Sequence, residues 1–295
     1  MIEFIQYLID AVRLGALYAL LALGIAIIFG IMKLINFAHG ELIAAGGILL
    51  MFTGAMGVIP SLAAVILIAV LLSVAMERIA FRSVRGADPA TLLVTSFAVS
   101  YFLQNAAIMI IGSRPRGLAL PPLLSQSLQL GELRIPVLSI LTIVLAVGLL
   151  TSLALFLKRT ALGNQMRAAA EDFEMARLVG IRADNVVATA FVIGGVLAGV
   201  ASLLYFSERG TASPTAGVDP ALIGFVATVI GGMSTLSGAA LGGFLLGCVT
   251  VALQALLPDF IAPYRQSFVY LFVILVLLTR PDGLLKGRSS RARVG

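Results

Sequence analysis

The stretch Asn36-Phe37-Ala38-His39-Gly40-Glu41 holds the chain's one histidine, an amide and a carboxylate at the mouth of an apolar run. Ionisable groups at membrane depth are costly and mark functional positions. Two readings stand for it. Either the cluster lines a substrate path, or Asn36 caps a helix whose first turn Glu41 favours through the helix dipole. One histidine with one nearby glutamate is too few ligands for a metal site, so no metal is expected. A proton relay lacks further intramembrane acids to carry it.

A second polar set lies on the run from 89 to 112. On a helical wheel, Thr91, Thr95, Tyr101 and Asn105 share a 120° arc, and Ser96, Ser100 and Gln104 lie opposite. Neither face looks lipid-directed, which suits a central helix with one stripe on other helices and one on a pathway. Interhelical hydrogen bonding alone also explains it. With Asn36, His39 and Glu41, the residues Thr95, Ser96, Gln104 and Asn105 are the pathway candidates. Asp10 and Arg13, three apart, read as a local ion pair.

The third set is an island of mixed charge from Lys158 to Asn185. Arg167, Glu171, Glu174 and Arg177 share about one-third of a helical wheel, with Ala169, Phe173 and Ala176 opposite, as in an interfacial helix. Gly180 ends that helix. No G-x-x-x-x-G-K-[ST] phosphate loop, H-E-x-x-H or G-x-S-x-G motif occurs. No catalytic residue is expected, and any ATP-driven motor must be a separate subunit.

The elements that carry these sets span a membrane. Hydrophobic residues make up 60% of the chain and charged residues 12%, against roughly a quarter charged in a soluble domain. Runs of about 20 apolar residues recur from Ala11 to Leu278. They are continuously apolar, which predicts helices rather than a barrel. The fold class is all-α: a polytopic helical membrane protein with about eight to nine transmembrane helices and one interfacial helix in the charged island, all one transmembrane domain over 1–295. No cleavable signal peptide is expected at MIEFIQYLID. Cys248 reads as a packing residue.

Crossings are expected at 8 to 31, 39 to 57, 60 to 82, 89 to 112, 136 to 157, 186 to 206, 219 to 234, 238 to 257 and 264 to 279. Numbering the gaps alternately puts 14 of the 20 Lys and Arg on one side, which the positive-inside rule makes cytoplasmic. The N-terminus is then outside and the C-terminus inside. The net charge of +6 reflects orientation in a lipid bilayer and not nucleic-acid binding. The proline-containing loop 113–136 is expected to be an ordered outer cap, either a docking surface or a plain connector. The basic tail 284–295 is expected to be disordered or to lie on anionic lipid. Gly195 and Gly199, Gly238 and Gly242, and Gly243 and Gly247 are small-xxx-small pairs for close helix packing. Gly231-Gly232, Ser234 and Ser237-Gly238 mark a break of the kind transporters place at substrate pathways.

Three stretches together resemble a known family. I-x-F-G-I-M-x-L-I-N-F-A-H-G-E (Ile27 to Glu41), R-A-A-A-E-D-F-E-M-A-R-L-V-G-I (Arg167 to Ile181) and G-G-M-S-T-L-S-G-A-A-L-G-G (Gly231 to Gly243) are similar to the permeases of branched-chain amino acid ABC importers, the shorter of the two paralogues. The resemblance implies a bacterial inner-membrane complex of two permeases, two ATPases carrying ATP and Mg, and a periplasmic binding protein. It implies that loop 158–185 docks on the ATPase through Arg167, Glu171, Asp172, Ala176 and Gly180, with Glu174 and Arg177 on the charged face. Sugar, amide and urea importers have similar permeases and remain alternatives. So does an ion-coupled secondary transporter using His39 and Glu41.

Overall fold

The structure is a computed structural model and describes residues 2–285 apart from 132, 234, 259 and 282. Among these residues, eight helices are long and apolar enough to cross a bilayer. They are α1 (Ile2–Met32), α2 (His39–Thr53), α3 (Val58–Met76), α4 (Pro89–Ile111), α5 (Val137–Arg159), α8 (Ala183–Arg209), α10 (Leu236–Leu256) and α11 (Arg265–Thr279). A 3-10 turn carries α2 on to Met56, and a π-turn carries α3 on to Phe81. Helices α6 (Ala161–Glu171) and α7 (Phe173–Leu178) occupy the charged island, and α9 (Val218–Gly231) is a shorter apolar helix.

Local chemistry sets the ends. Asp88 caps α4 ahead of Pro89, accepting from the Thr91 amide at 3.1 Å and the Thr91 hydroxyl at 2.7 Å. Those bonds hold its carboxyl below the usual aspartate range. Helix α5 ends on Lys158 and Arg159, which complement its dipole. Helix α8 stops at Gly210 in the left-handed conformation.

Helix α1 is the hub, packed against α5, α8, α9 and α10. Gly243 and Gly247 of α10 lie on Ala19 and Gly15 of α1 so closely that an added methyl group would overlap the backbone opposite. Gly195 and Gly199 of α8 meet Val70 and Ile66 of α3 in the same way, and Gly242 of α10 meets Ala227 and Gly231 of α9. Close backbone approach through small residues is the usual substitute for a hydrophobic drive between helices in lipid.

Two helices, α2 and α9, start against the interior of the bundle. His39, at the start of α2, packs on Gly24 of α1, eight residues before the end of α1 at Met32 and so about 12 Å inside the bundle. The chain leaves α1, turns back, and begins α2 at mid-depth. Helix α9 repeats the device in the opposite sense: after α8 the chain turns inward, and Gly217 at the α9 N-cap abuts Gly40. This corrects the expected crossing at 219 to 234. Helix α9 has 14 residues, about 21 Å against a hydrocarbon core of roughly 30 Å. Residues 210–217 connect α8 to α9 as non-helical chain. Ser234 lies outside the described residues.

Loop 113–136 folds at the opposite end from the charged island. Strand β1 (Arg116–Gly117) pairs antiparallel with β4 (Thr211–Ala212), and β2 (Ser127–Leu130) with β3 (Leu133–Pro136). The first residues of the tail are held, contrary to expectation. The amides of Leu284 and Leu285 donate to the carbonyls of Ile230 and Gly231 at 2.8 and 3.1 Å. Residues 286–295 lie outside the described residues. The starts of α1 and α11 line one cavity, so the start of α1 and the end of α11 lie at opposite ends of the bundle.

Candidate functional site

The turn that starts α2 at mid-depth carries the polar cluster. Asn36 and His39 are each 1% exposed. Among the described residues, neither the Asn36 amide nor either ring nitrogen of His39 has a hydrogen-bond partner. Asn36 does not cap α2, because the N-cap is Ala38 and makes no side-chain bond, while Glu41 does lie in the first turn. Buried polar atoms are nearly always paired, so four unpaired ones in a single turn set this stretch apart from ordinary core.

Glu41 is paired. Its carboxylate accepts from the Ser100 hydroxyl at 2.9 Å and from the Gln104 amide at 2.8 Å. One turn away, the Ser96 hydroxyl donates to the carbonyls of Leu93 and Ile35 at 2.8 and 3.2 Å. Phe37 stacks on Phe97 of α4 at 4.5 Å and tilts against Phe225 of α9 at 5.6 Å. An apolar groove of about 300 Å³ runs from Glu41 between α2, α3 and α4 to Pro214.

The structure therefore brings Asn36, His39, Glu41, Ser96 and Gln104 together and leaves out Thr95 and Asn105. Those two bond the carbonyls of Thr91 and Tyr101 in their own helix, both at 2.8 Å, on the stripe where Tyr101 is 71% exposed. Among the described residues, the side chains of Thr95 and Asn105 bond no other helix of this chain. Ser100 belongs with the site. It sits on the same stripe as Ser96 and Gln104, and that spacing was the available signal.

At the other site, the island is two helices rather than one. Thr160 caps α6 by accepting from the Gly163 amide at 2.9 Å. Asp172 then takes an extended conformation and caps α7, accepting from the Met175 amide at 2.9 Å. The single wheel through Arg167 and Arg177 is therefore broken, because a capping side chain competes with continuing the helix. Gly180, at φ +89°, ends α7. Met166, Ala169 and Ala176 are buried against the bundle. Arg167, Glu171, Asp172, Glu174 and Arg177 are exposed, beside exposed Met175, Leu178 and Val179. Sequence reasoning missed that apolar rim, since it straddles the break.

Two contacts anchor this segment. The Lys33 ammonium donates to Gly30 at the end of α1 and to Ala170 at the end of α6, at 3.1 and 3.3 Å. It thus ties α6 to the turn that leads into Asn36 and His39. Beyond Gly180, Asp184 of α8 pairs with Arg82 at 3.0 Å and with Arg85. Arg85 also pairs with the buried Glu77 of the π-turn. The start of α8 is therefore fixed to the end of α3.

A family profile described as "Branched-chain amino acid transport system / permease component" matches residues 7–278. The chain is 34% identical to the high-affinity branched-chain amino acid transport system permease protein BraD of Pseudomonas aeruginosa, covering 99% of this chain and 98% of that protein. It is 34% identical to LivH of Escherichia coli K12, a permease protein of the same description, with the same coverage. A shorter likeness, 30% identity over 44% of this chain and 34% of the other, links it to the xylose transport system permease protein XylH of E. coli K12. No solved structure matches the chain. By extent and identity, this chain belongs to the family of branched-chain amino acid transport system permease components.

Proposed function

We propose that this chain is the membrane-spanning subunit of an ATP-driven importer of branched-chain amino acids in a bacterial inner membrane. The start of α1 is outside and the island is cytoplasmic. The observation that carries the reading is the Lys33 bridge, which links the exposed segment α6–α7 to the turn holding Asn36 and His39. A push on α6 moves that turn, and with it the starts of α2 and α9. Such a movement about a fixed mid-depth site is alternating access.

Two ATPase subunits supply the push, binding ATP and Mg themselves. Met175, Leu178 and Val179, ringed by Arg167, Glu171, Glu174 and Arg177, suit an insert into a groove on the ATPase. A second permease covers the polar stripe of α4 that carries Thr95 and Asn105. A periplasmic binding protein delivers cargo at the end that carries loop 113–136. The likeness to XylH favours a sugar as the second reading, and the cargo that co-purifies with the partner binding protein decides between them.

The test is leucine uptake by cells carrying the complete system. Changing Glu171, Asp172 and Gly180 together is expected to abolish uptake while the complex still assembles. Lys33→Met is expected to lower it about tenfold, within the range of site-to-site coupling energies. Full uptake by the triple variant overturns the reading.

A further inference from the structure

A cavity of about 450 Å³ opens at the end of the bundle away from the coupling segment, between the starts of α1, α9 and α11 and the ends of α8 and α10. That volume falls within the roughly 300–1,000 Å³ of small-molecule sites. Its walls carry three carboxylates, Asp10, Glu208 and Asp219, and three guanidinium groups, Arg13, Arg209 and Arg265. The formal charge of the lining is therefore zero.

The pairing inside the cavity is uneven. Arg13 binds Glu208 at 2.7 Å, and Arg209 binds Asp219 at 3.0 Å. Asp10 is left with a long contact of 3.6 Å to Arg13, which Glu208 already occupies. Arg265 donates to the neutral amide oxygen of Gln254 at 2.7 Å and, among the described residues, meets no carboxylate. The cavity thus offers one under-used negative group and one under-used positive group.

A third group is unsatisfied. Tyr205 lines the cavity and is 5% exposed, and its hydroxyl has no partner among the described residues. The guanidinium of Arg209 lies over its ring at 4.6 Å. Such a buried orphan hydroxyl is unfavourable unless something bonds it. The floor is formed by Asp219 and Ile223 in the first turns of α9, the helix that begins at mid-depth.

We infer that this cavity is a binding site for the zwitterionic head of an α-amino acid, with Arg265 taking the carboxylate, Asp10 the ammonium, and Tyr205 a hydrogen bond to either. A neutral lining with one free charge of each sign accepts a zwitterion without a net Coulomb penalty. It disfavours a compound carrying either charge alone, which leaves one wall group unanswered. The inference rests on the amino-acid cargo proposed above. It assigns a loading step on the outer side, before the cargo reaches Asn36 and His39.

Two measurements test it. In the first, the purified full-length chain is melted in detergent with 10 mM leucine, leucinamide or 4-methylpentanoate. Leucine is expected to raise the melting temperature, and neither singly charged analogue is expected to do so. Arg265→Gln and Asp10→Asn are expected to abolish the leucine shift, Tyr205→Phe to halve it, and Arg265→Lys to keep most of it. Equal shifts from all three compounds, or an undiminished shift in Arg265→Gln, overturn the inference.

In the second, cells carrying the complete system take up leucine at saturating concentration, with membrane abundance of each variant measured alongside. Arg265→Gln is expected to lower uptake at least tenfold at equal abundance. If wild type transports leucine and Arg265→Gln matches it, the cavity is a solvated vestibule and the inference fails while the importer reading stands. If wild type takes up no leucine, the importer reading falls and this inference with it.

Discussion

Helix α1 is held by backbone contacts, whereas α4 is held by side-chain hydrogen bonds. Along the most apolar 18 residues of α1, 78% are buried within the chain, against 17% for α4. Glycines of α10 bring the backbones of α1 and α10 together. Helix α4 docks through Ser96, Ser100, Gln104 and the Phe37–Phe97 stack. A backbone-to-backbone interface has a single fit, because neither side can yield. A hydrogen-bonded one can be exchanged for water, cargo or another helix, so the difference separates the frame from the part that moves or is shared.

The sharpest way to break that comparison is Gly243→Leu, which drives a side chain into Ala19 and Tyr18 of α1. Overpacking at a backbone contact is expected to cost more than about 3 kcal/mol. Membrane abundance should collapse, and a monodisperse peak at wild-type level would refute the α1–α10 contact. Glu41→Leu comes next. It strands the donors of Ser100 and Gln104 and is expected to lower stability by about 1–2 kcal/mol. A melt in detergent should show the loss, with the chain still folded and uptake gone.

Ser100→Ala removes one of the two donors to Glu41, and about 0.6 kcal/mol is expected, the mean for such bonds in membranes. A loss as large as that for Glu41→Leu would mean that Ser100, and not the carboxylate, organises the joint. Asn105→Leu is the smallest. Its amide bonds its own helix, so single-chain stability should move by less than about 0.5 kcal/mol. Cysteine cross-linking between two permease chains along α4 should fall, and unchanged cross-linking would put the partner elsewhere.

The frame was the legible part. Continuous apolar runs specify spanning helices, and Gly243 and Gly247 announce a close approach by their spacing alone. The two stripes of α4 were legible as stripes. Which one faces inward was not, because Ser96 and Thr95 are equally polar and the difference lies in where Glu41 sits. The shortness of α9 was legible, since the apolar run from 219 to 234 is briefer than most other crossings, whereas the contact of its start with Gly40 was not. The break at Asp172 was within reach, since aspartate is a strong N-cap. The Ala-Ala-Ala-Glu stretch before it has high helix propensity and masks the signal. Glu77, Arg85 and Asp184 are joined across about a hundred residues, and no local pattern anticipates that.

Gly40 and Gly217 also bear on electrical insulation. At the turns before α2 and α9, non-helical backbone reaches into the bundle. The starts of α2 and α9 touch there, backbone on backbone. A unit charge driven through such a contact by the membrane voltage gains about 2.3 kcal/mol per 100 mV. A methyl group at Gly40 would wedge it open. A cell carrying Gly40→Ala would then register a leak of protons and ions before it registered any shortage of cargo.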